Sequence, residues 1–200
     1  GFDMTSRMIG EFNAYNLLVV FAVAKSLGEE ALTVLTIISN LKAPDGRFEY
    51  IVSSRNVTAV IDYAHTPDAL ENVLKTLVSL KNDKEKILTV FGCGGDRDKG
   101  KRPLMGEISS VYSDRVIVTS DNPRSEKPSE IIKEIVSGIP KSKSSKVLTV
   151  QDRRQAIKVA CELAESGDVI LIAGKGHEKY QIIRDEKLHF DDLETTIEIF

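Results

Sequence analysis

A doubly wound α/β fold, with helices on both faces of a mostly parallel sheet of about six strands, is predicted for most of this 200-residue chain. Two observations predict it. From Arg47 onward short β-branched runs alternate with amphipathic segments, and Pro67, Pro103 and Pro128 stand near the starts of three of those segments, where a missing N–H costs a helix little. Consecutive strands separated by helices need crossover connections, and crossovers make parallel neighbours.

The runs are Phe48–Val52, Val57–Ile61, Ile87–Phe91, Arg115–Thr119, Val147–Val150 and Val169–Ile172. Between them Asp68–Leu80, Arg102–Val111, Ser129–Val136 and Arg153–Ala164 carry apolar residues at helical spacing. Lys141–Lys146 reads as a solvated loop, Tyr180–Arg184 as an edge strand, and Asp191 as the start of a closing helix. The architecture expected is therefore Rossmann-like.

Ahead of Pro44-Asp45-Gly46, a turn-type cluster, the pattern is helical only: Phe12–Leu27, stopped by Gly28, and then Glu29–Leu41. Two helices without a sheet to cover are expected to be the end of a preceding domain. The expected boundaries are a helical remnant at 1–43 and a Rossmann-like domain at 44–200.

Composition narrows the function. Twenty-seven Lys+Arg against 30 Asp+Glu give a net charge of −3, which argues against a nucleic-acid partner. The apolar stretches Leu17–Ala24 and Val169–Ala173 fall well short of a bilayer span of about 20 residues, so no membrane partner is expected. The first residues lack a signal-peptide pattern and the only cysteines are Cys93 and Cys161, so a reducing cytoplasm is expected. His65, His177 and His189 show no paired ligand spacing and the cysteines form no CxxC, so no metal site is expected.

Ligands of open parallel sheets bind beyond the carboxyl ends of the strands. Polar clusters fall there four times: Asp62-Tyr-Ala-His65, Gly92-Cys-Gly-Gly-Asp-Arg97, Asp121-Asn-Pro-Arg124 and Gly174-Lys-Gly-His-Glu178. All four are expected on one rim. Gly95 to Lys101 has the spacing of a P-loop, but Arg102 replaces the hydroxyl that would hold Mg²⁺, and Arg97 stands where a dinucleotide fingerprint needs its third glycine. What remains is a glycine-rich turn presenting Arg97, suited to a carboxylate or else simply paired with Asp96 or Asp98. Asp121, Asn122 and Arg124 together complement a zwitterionic amino acid, while Asp121 or Asn122 as a mere helix cap is the plainer alternative. Glu178 can accept from an ammonium, and the glycines beside it let backbone approach a ligand.

These clusters, with Gly10-Glu-Phe-Asn-Ala-Tyr-Asn16, Gly46-Arg-Phe-Glu49 and the full run Phe91–Pro103, resemble the Mur ligases of peptidoglycan synthesis, and among them the diaminopimelate-adding members. The likeness runs from about residue 10 to the last helix. It is least exact at Leu193, where the family usually has a basic residue. The resemblance implies the carboxyl-terminal domain of a three-domain, ATP-dependent ligase, with the P-loop and the Mg²⁺ ligands in the preceding part. In such an enzyme an acyl phosphate on UDP-MurNAc-L-Ala-D-Glu is attacked by the amine of meso-diaminopimelate. Arg97, Asp121, Asn122, Arg124, Gly174 and Glu178 would then bind diaminopimelate. Asn13 would lie near adenine, Asp62 near ribose and Arg47 near the phosphates of ATP. No catalytic residue is implied in this stretch, which alone is expected to be inactive. Competing expectations are a lysine-adding relative, a ligase resembling folylpolyglutamate synthase, and a non-catalytic module binding an amino acid or nucleotide.

Overall fold

The computed structural model describes residues 4–6 and 8–200 and divides into two units between Pro44 and Asp45. In the first, α1 (Glu11–Ser26) and α2 (Ala31–Ser39) bury Leu17, Val34 and Ile38 against Met8, Phe21, Ala24 and Leu35. α2 begins later than its apolar pattern suggests because the Glu30 side chain accepts from the Thr33 N–H at 3.0 Å and so caps it. Tyr15, Leu18, Val19 and Val23 of α1 are exposed.

The second unit holds a six-stranded sheet. Its strands are β1 (Glu49–Val52), β2 (Thr58–Asp62), β3 (Ile87–Phe91), β4 (Arg115–Val118), β5 (Val147–Thr149) and β6 (Val169–Ala173), in the order β1-β2-β6-β3-β4-β5. Every pairing is parallel except β1 with β2. The helices are α3 (Pro67–Leu80), α4 (Lys101–Tyr112), α5 (Pro128–Ser137), α6 (Arg153–Leu163) and α7 (Asp192–Ile199). Period-two alternation decides what each strand gives to each face. Leu88, Val90, Ile170 and Ile172 pack with Ala156, Ile157, Ala160 and Cys161 of α6, while Thr89, pointing the other way, meets Ser113 just after α4 at 2.7 Å. α3, α4 and α5 lie side by side in that opposite layer. Burying one leucine- or isoleucine-sized side chain is worth about 1.5–3 kcal/mol, so this alternation is what fixes the register.

Two expectations need correcting. Tyr180–Ile183 (β7) does not extend the main sheet; it pairs antiparallel with Glu186–His189 (β8) across a turn at Arg184-Asp185, with Arg184 at φ +54°. Lys141–Lys146 is a 3-10 helix rather than a loop.

The register places the functional rim. Asp62 pairs with Ala173, Ala173 with Phe91 and Phe91 with Val118, so the segments leaving β2, β6, β3 and β4 emerge on one edge. β1 runs the other way, with Glu49 opposite Ile61, which brings Gly46-Arg47-Phe48 to the same edge.

Candidate functional site

The centre of the rim is a buried polar cluster drawn from three segments. Asn122 Nδ2 donates to Glu178 Oε2 at 2.8 Å, and Asn122 Oδ1 accepts from Lys175 Nζ at 3.0 Å and from the Ile182 N–H at 2.9 Å. Lys175 is fully buried and also donates to the Tyr180 carbonyl at 2.7 Å. Its ammonium stands 3.0 Å from Asp121 Oδ1, an ion pair by distance without hydrogen-bond alignment, since that oxygen has no hydrogen-bond partner among the described residues. Gly174 enters the cluster at φ +116°, a region favouring glycine, and a Cβ there would lie 3.1 Å from Asp121 Oδ2. Two carboxylates thus face one internal ammonium, which leaves one negative charge over.

The β7–β8 hairpin holds this cluster in place. Gln181 Nε2 donates to the Asp121 carbonyl at 2.6 Å, the Arg124 N–H to the Ile182 carbonyl at 3.1 Å, and the Arg184 N–H to the Arg124 carbonyl at 2.8 Å. Arg124 is fixed at φ +50°, costly for a non-glycine residue and sustained by those two backbone bonds. Its guanidinium donates to the Gly95 carbonyl at 2.9 Å.

The glycine-rich segment after β3 is tied to the Asp121–Glu126 segment so closely that a Cβ on Gly95 would stand 1.9 Å from the Pro123 carbonyl oxygen. Arg102, read from sequence only as the residue that breaks a P-loop, is the anchor. Fully buried, it donates to Glu126 at 2.8 and 2.9 Å, to Glu134 of α5 at 2.6 Å and to the Gly94 carbonyl at 3.0 Å. That guanidinium pulls the Glu126 carboxyl down to about 2. Arg97 is exposed and donates to the Asp96 carbonyl at 3.2 Å. It pairs with neither neighbouring carboxylate: Asp96 accepts from Ser125, and Asp98 from the Gly100 N–H. Nor does Asp121 or Asn122 cap α5, whose N-cap is Lys127.

On the β2 side, Asp62 is buried, its Oδ2 accepting from the Phe48 N–H and its Oδ1 from the Ala64 N–H, each at 2.8 Å. Burial raises its pKa despite those bonds and the nearby Arg47. Arg47 is exposed, with its guanidinium 5.2 Å from the centre of the Tyr63 ring, which also packs against His65 and His177. Asn13 lies in the first unit, buried, donating to the Ile9 carbonyl at 2.7 Å. Cys93 and Cys161 are buried, and burial pushes their thiols up to about 12 and about 11.

The rim thus brings together Asp121, Asn122, Gly174 and Glu178, with Arg124 beside them, while Arg97 stands outside the buried cluster. Sequence reasoning missed Lys175 and Arg102, because a basic residue in a polar run gives no local sign of burial. Among the described residues no group of three or more His, Cys, Asp or Glu side chains could hold a metal ion, and no helix is long and apolar enough to cross a membrane.

Comparison with known proteins shows the family. The family model of the Mur ligase glutamate ligase domain matches residues 46–176. The chain is 53% identical over 192 residues to the UDP-N-acetylmuramoyl-L-alanyl-D-glutamate--2,6-diaminopimelate ligase of Cytophaga hutchinsonii, covering 96% of this chain and 39% of that protein. It is 52% identical over 198 residues to the ligase of the same name from Bacteroides thetaiotaomicron, covering 99% and 41%. A solved structure of a ligase so named superimposes with a TM-score of 0.74 at 40% identity, covering 99% of this chain and 40% of that one. The UDP-N-acetylmuramate-alanine ligase of Thermotoga maritima shares the fold, with a TM-score of 0.68 at 20% identity, over 100% of this chain and 39% of that one. The chain spans about two-fifths of the length of these relatives.

Proposed function

The chain belongs to the Mur ligase family, and on that footing we propose that it is the carboxyl-terminal part of an ATP-dependent amide ligase that adds meso-diaminopimelate to UDP-MurNAc-L-Ala-D-Glu. The observation that carries this reading is the cluster in which Asn122 meets Glu178 at 2.8 Å with Asp121 behind it and Arg124 beside it. The negative charge left over around Lys175 suits a ligand ammonium, for which Asp121 and Glu178 are the acceptors. The remaining Asn122 N–H and the Arg124 fork suit a carboxylate. Gly174 allows backbone approach, and Arg97, exposed, would meet the ligand's acidic end. An amino acid held at both ends presents its reacting amine in one orientation. Such positioning contributes several kcal/mol to an attack on an acyl phosphate.

The relatives named for diaminopimelate support that choice of amino acid, and so does Arg124, since diaminopimelate carries one carboxylate more than lysine. Within the second unit, ATP would meet Arg47 near its phosphates and Asp62 near its ribose. The Mg²⁺ ligands are assigned, by the family resemblance, to the preceding part of the enzyme. Residues 1–43 are assigned to the last helices of that part, and a bacterial cytoplasmic location goes with the reading.

Phosphate release by the full-length ligase containing this chain, with ATP, the UDP-linked dipeptide and a panel of amino acids, tests the proposal. Stoichiometric release dependent on diaminopimelate is expected. Equal release with lysine, or none with either, overturns it.

A further inference from the structure

We propose that Lys175 is a positioning residue for substrate recognition: by donating to Asn122 Oδ1 it fixes the carboxamide so that N–H groups, and not the amide oxygen, face the ligand. The inference rests on reading the rim as an amino-acid site.

A fully buried ammonium is costly unless its protons are met. Here Nζ donates to the Tyr180 carbonyl at 2.7 Å and to Asn122 Oδ1 at 3.0 Å, and its charge is met by Asp121 Oδ1 at 3.0 Å, an ion pair without hydrogen-bond alignment, and by Glu178 Oε2 at 3.9 Å. Both groups that point at Asn122 Oδ1, the ammonium and the Ile182 N–H, can only donate, so chemistry alone decides which end of the amide is oxygen. Nδ2 is thereby turned to Glu178, and of its two N–H groups one is engaged there, leaving the other for a ligand.

Without Lys175 the amide would keep only the Ile182 N–H on its oxygen and Glu178 on its nitrogen, and would lose the one charged donor that fixes the oxygen. A rotated amide would set its oxygen against Glu178 and against the carboxylate of an incoming amino acid. The same ammonium also grips Tyr180, where β7 begins, and β7 holds the Arg124 backbone through Ile182. One side chain therefore sets both donors that a ligand carboxylate would meet. In sequence Lys175 is a lysine between two glycines, with nothing to mark it as the hub.

The test uses the full-length ligase, with Lys175→Gln and Lys175→Met made alone and in an Asn122→Ala background. Wild type must first turn over diaminopimelate; if it does not, the site reading fails and the inference falls with it. Given that activity, Lys175→Met should raise the KM for diaminopimelate by about ten- to a hundredfold, and Lys175→Gln, which keeps a donor, by about threefold to tenfold. The KM values for ATP and for the UDP-linked dipeptide should stay within about twofold. In the Asn122→Ala background Lys175→Gln should raise the KM for diaminopimelate by much less than it does alone, because the part of its effect that travels through Asn122 is gone and only the part through Tyr180 and β7 remains. Lys175→Gln retains polar partners for Tyr180 and Asn122, so the test stands even where Lys175→Met does not fold. The proposal is overturned by a Lys175→Gln enzyme with wild-type KM for diaminopimelate. A parallel rise in all three KM values, or an undiminished effect in the Asn122→Ala background, overturns it equally.

Discussion

Arg153 and Asp192 form a bidentate ion pair with both side chains fully buried, Nε to Oδ1 and Nη2 to Oδ2 each at 2.8 Å. The pair lies directly behind the rim, since Arg153 also donates to the Ala173 carbonyl at 3.0 Å, immediately before Gly174. It joins α6 and α7 to the end of β6.

Removing one partner should therefore cost far more than removing both. Asp192→Ala leaves a guanidinium buried and uncompensated and should lose about 3–5 kcal/mol of stability. Arg153→Met with Asp192→Leu should lose less than Asp192→Ala or Arg153→Met made alone. Urea denaturation of the three variants checks this ordering, and a double variant weaker than Asp192→Ala would mean that the pair itself supplies the stability.

Gly95→Ala tests how tightly the two rim segments are coupled. A Cβ 1.9 Å from the Pro123 carbonyl oxygen must push one segment away. A loss of about 1–3 kcal/mol is expected, together with a raised KM for the amino acid in the full-length enzyme. A thermal melt and a KM matching wild type would show that the segments move apart freely.

The Glu126 carboxyl, held at about 2 against an ordinary 4.5, ties stability to pH. Its folded-state pKa is depressed, so its contribution is complete above the ordinary carboxylate pKa and is lost as pH falls from there toward about 2. Denaturation of wild type and Glu126→Gln should differ clearly at neutral pH and converge in strong acid. A difference that stayed constant across that window would assign the effect to shape rather than charge.

Much of this was legible in the sequence because the main strands are short apolar runs whose ends carry the polar clusters; Ile87–Phe91 is found with the expected bounds. The β8 strand escaped because Glu186-Lys-Leu-His189 offers one apolar residue and is exposed throughout. Arg102 and Lys175 escaped for a different reason. Their burial depends on partners 24 to 53 residues away in sequence, Glu126 and Asn122, which no local period or spacing reveals. Asp121, Asn122 and Glu178 were legible as polar residues after strands, whereas the hairpin that grips them was not.

The 200-residue chain alone should release no phosphate from ATP, since it spans about two-fifths of the length of its ligase relatives and Arg102 closes the Gly95–Lys101 turn onto the Gly94 carbonyl. Substrate-dependent release above a blank would contradict this. Hydrogen exchange on the same chain should be faster across α1, with Leu18, Val19 and Val23 exposed, than across β3, which is buried throughout. Equal protection would mean that α1 shares the main core.

The most direct test of the account is the preference of the full-length enzyme for diaminopimelate over lysine when Arg124 is changed to Ala. A charge-assisted bidentate bond is worth about 1.5–3 kcal/mol, so kcat/KM for diaminopimelate should fall by about ten- to a hundredfold while that for lysine barely changes. Arg124→Lys should not restore it, because an ammonium keeps the charge and loses the planar fork. An Arg124→Ala enzyme with its preference intact would make Arg124 a structural residue of its strained turn and contradict the assignment of this rim as the diaminopimelate site.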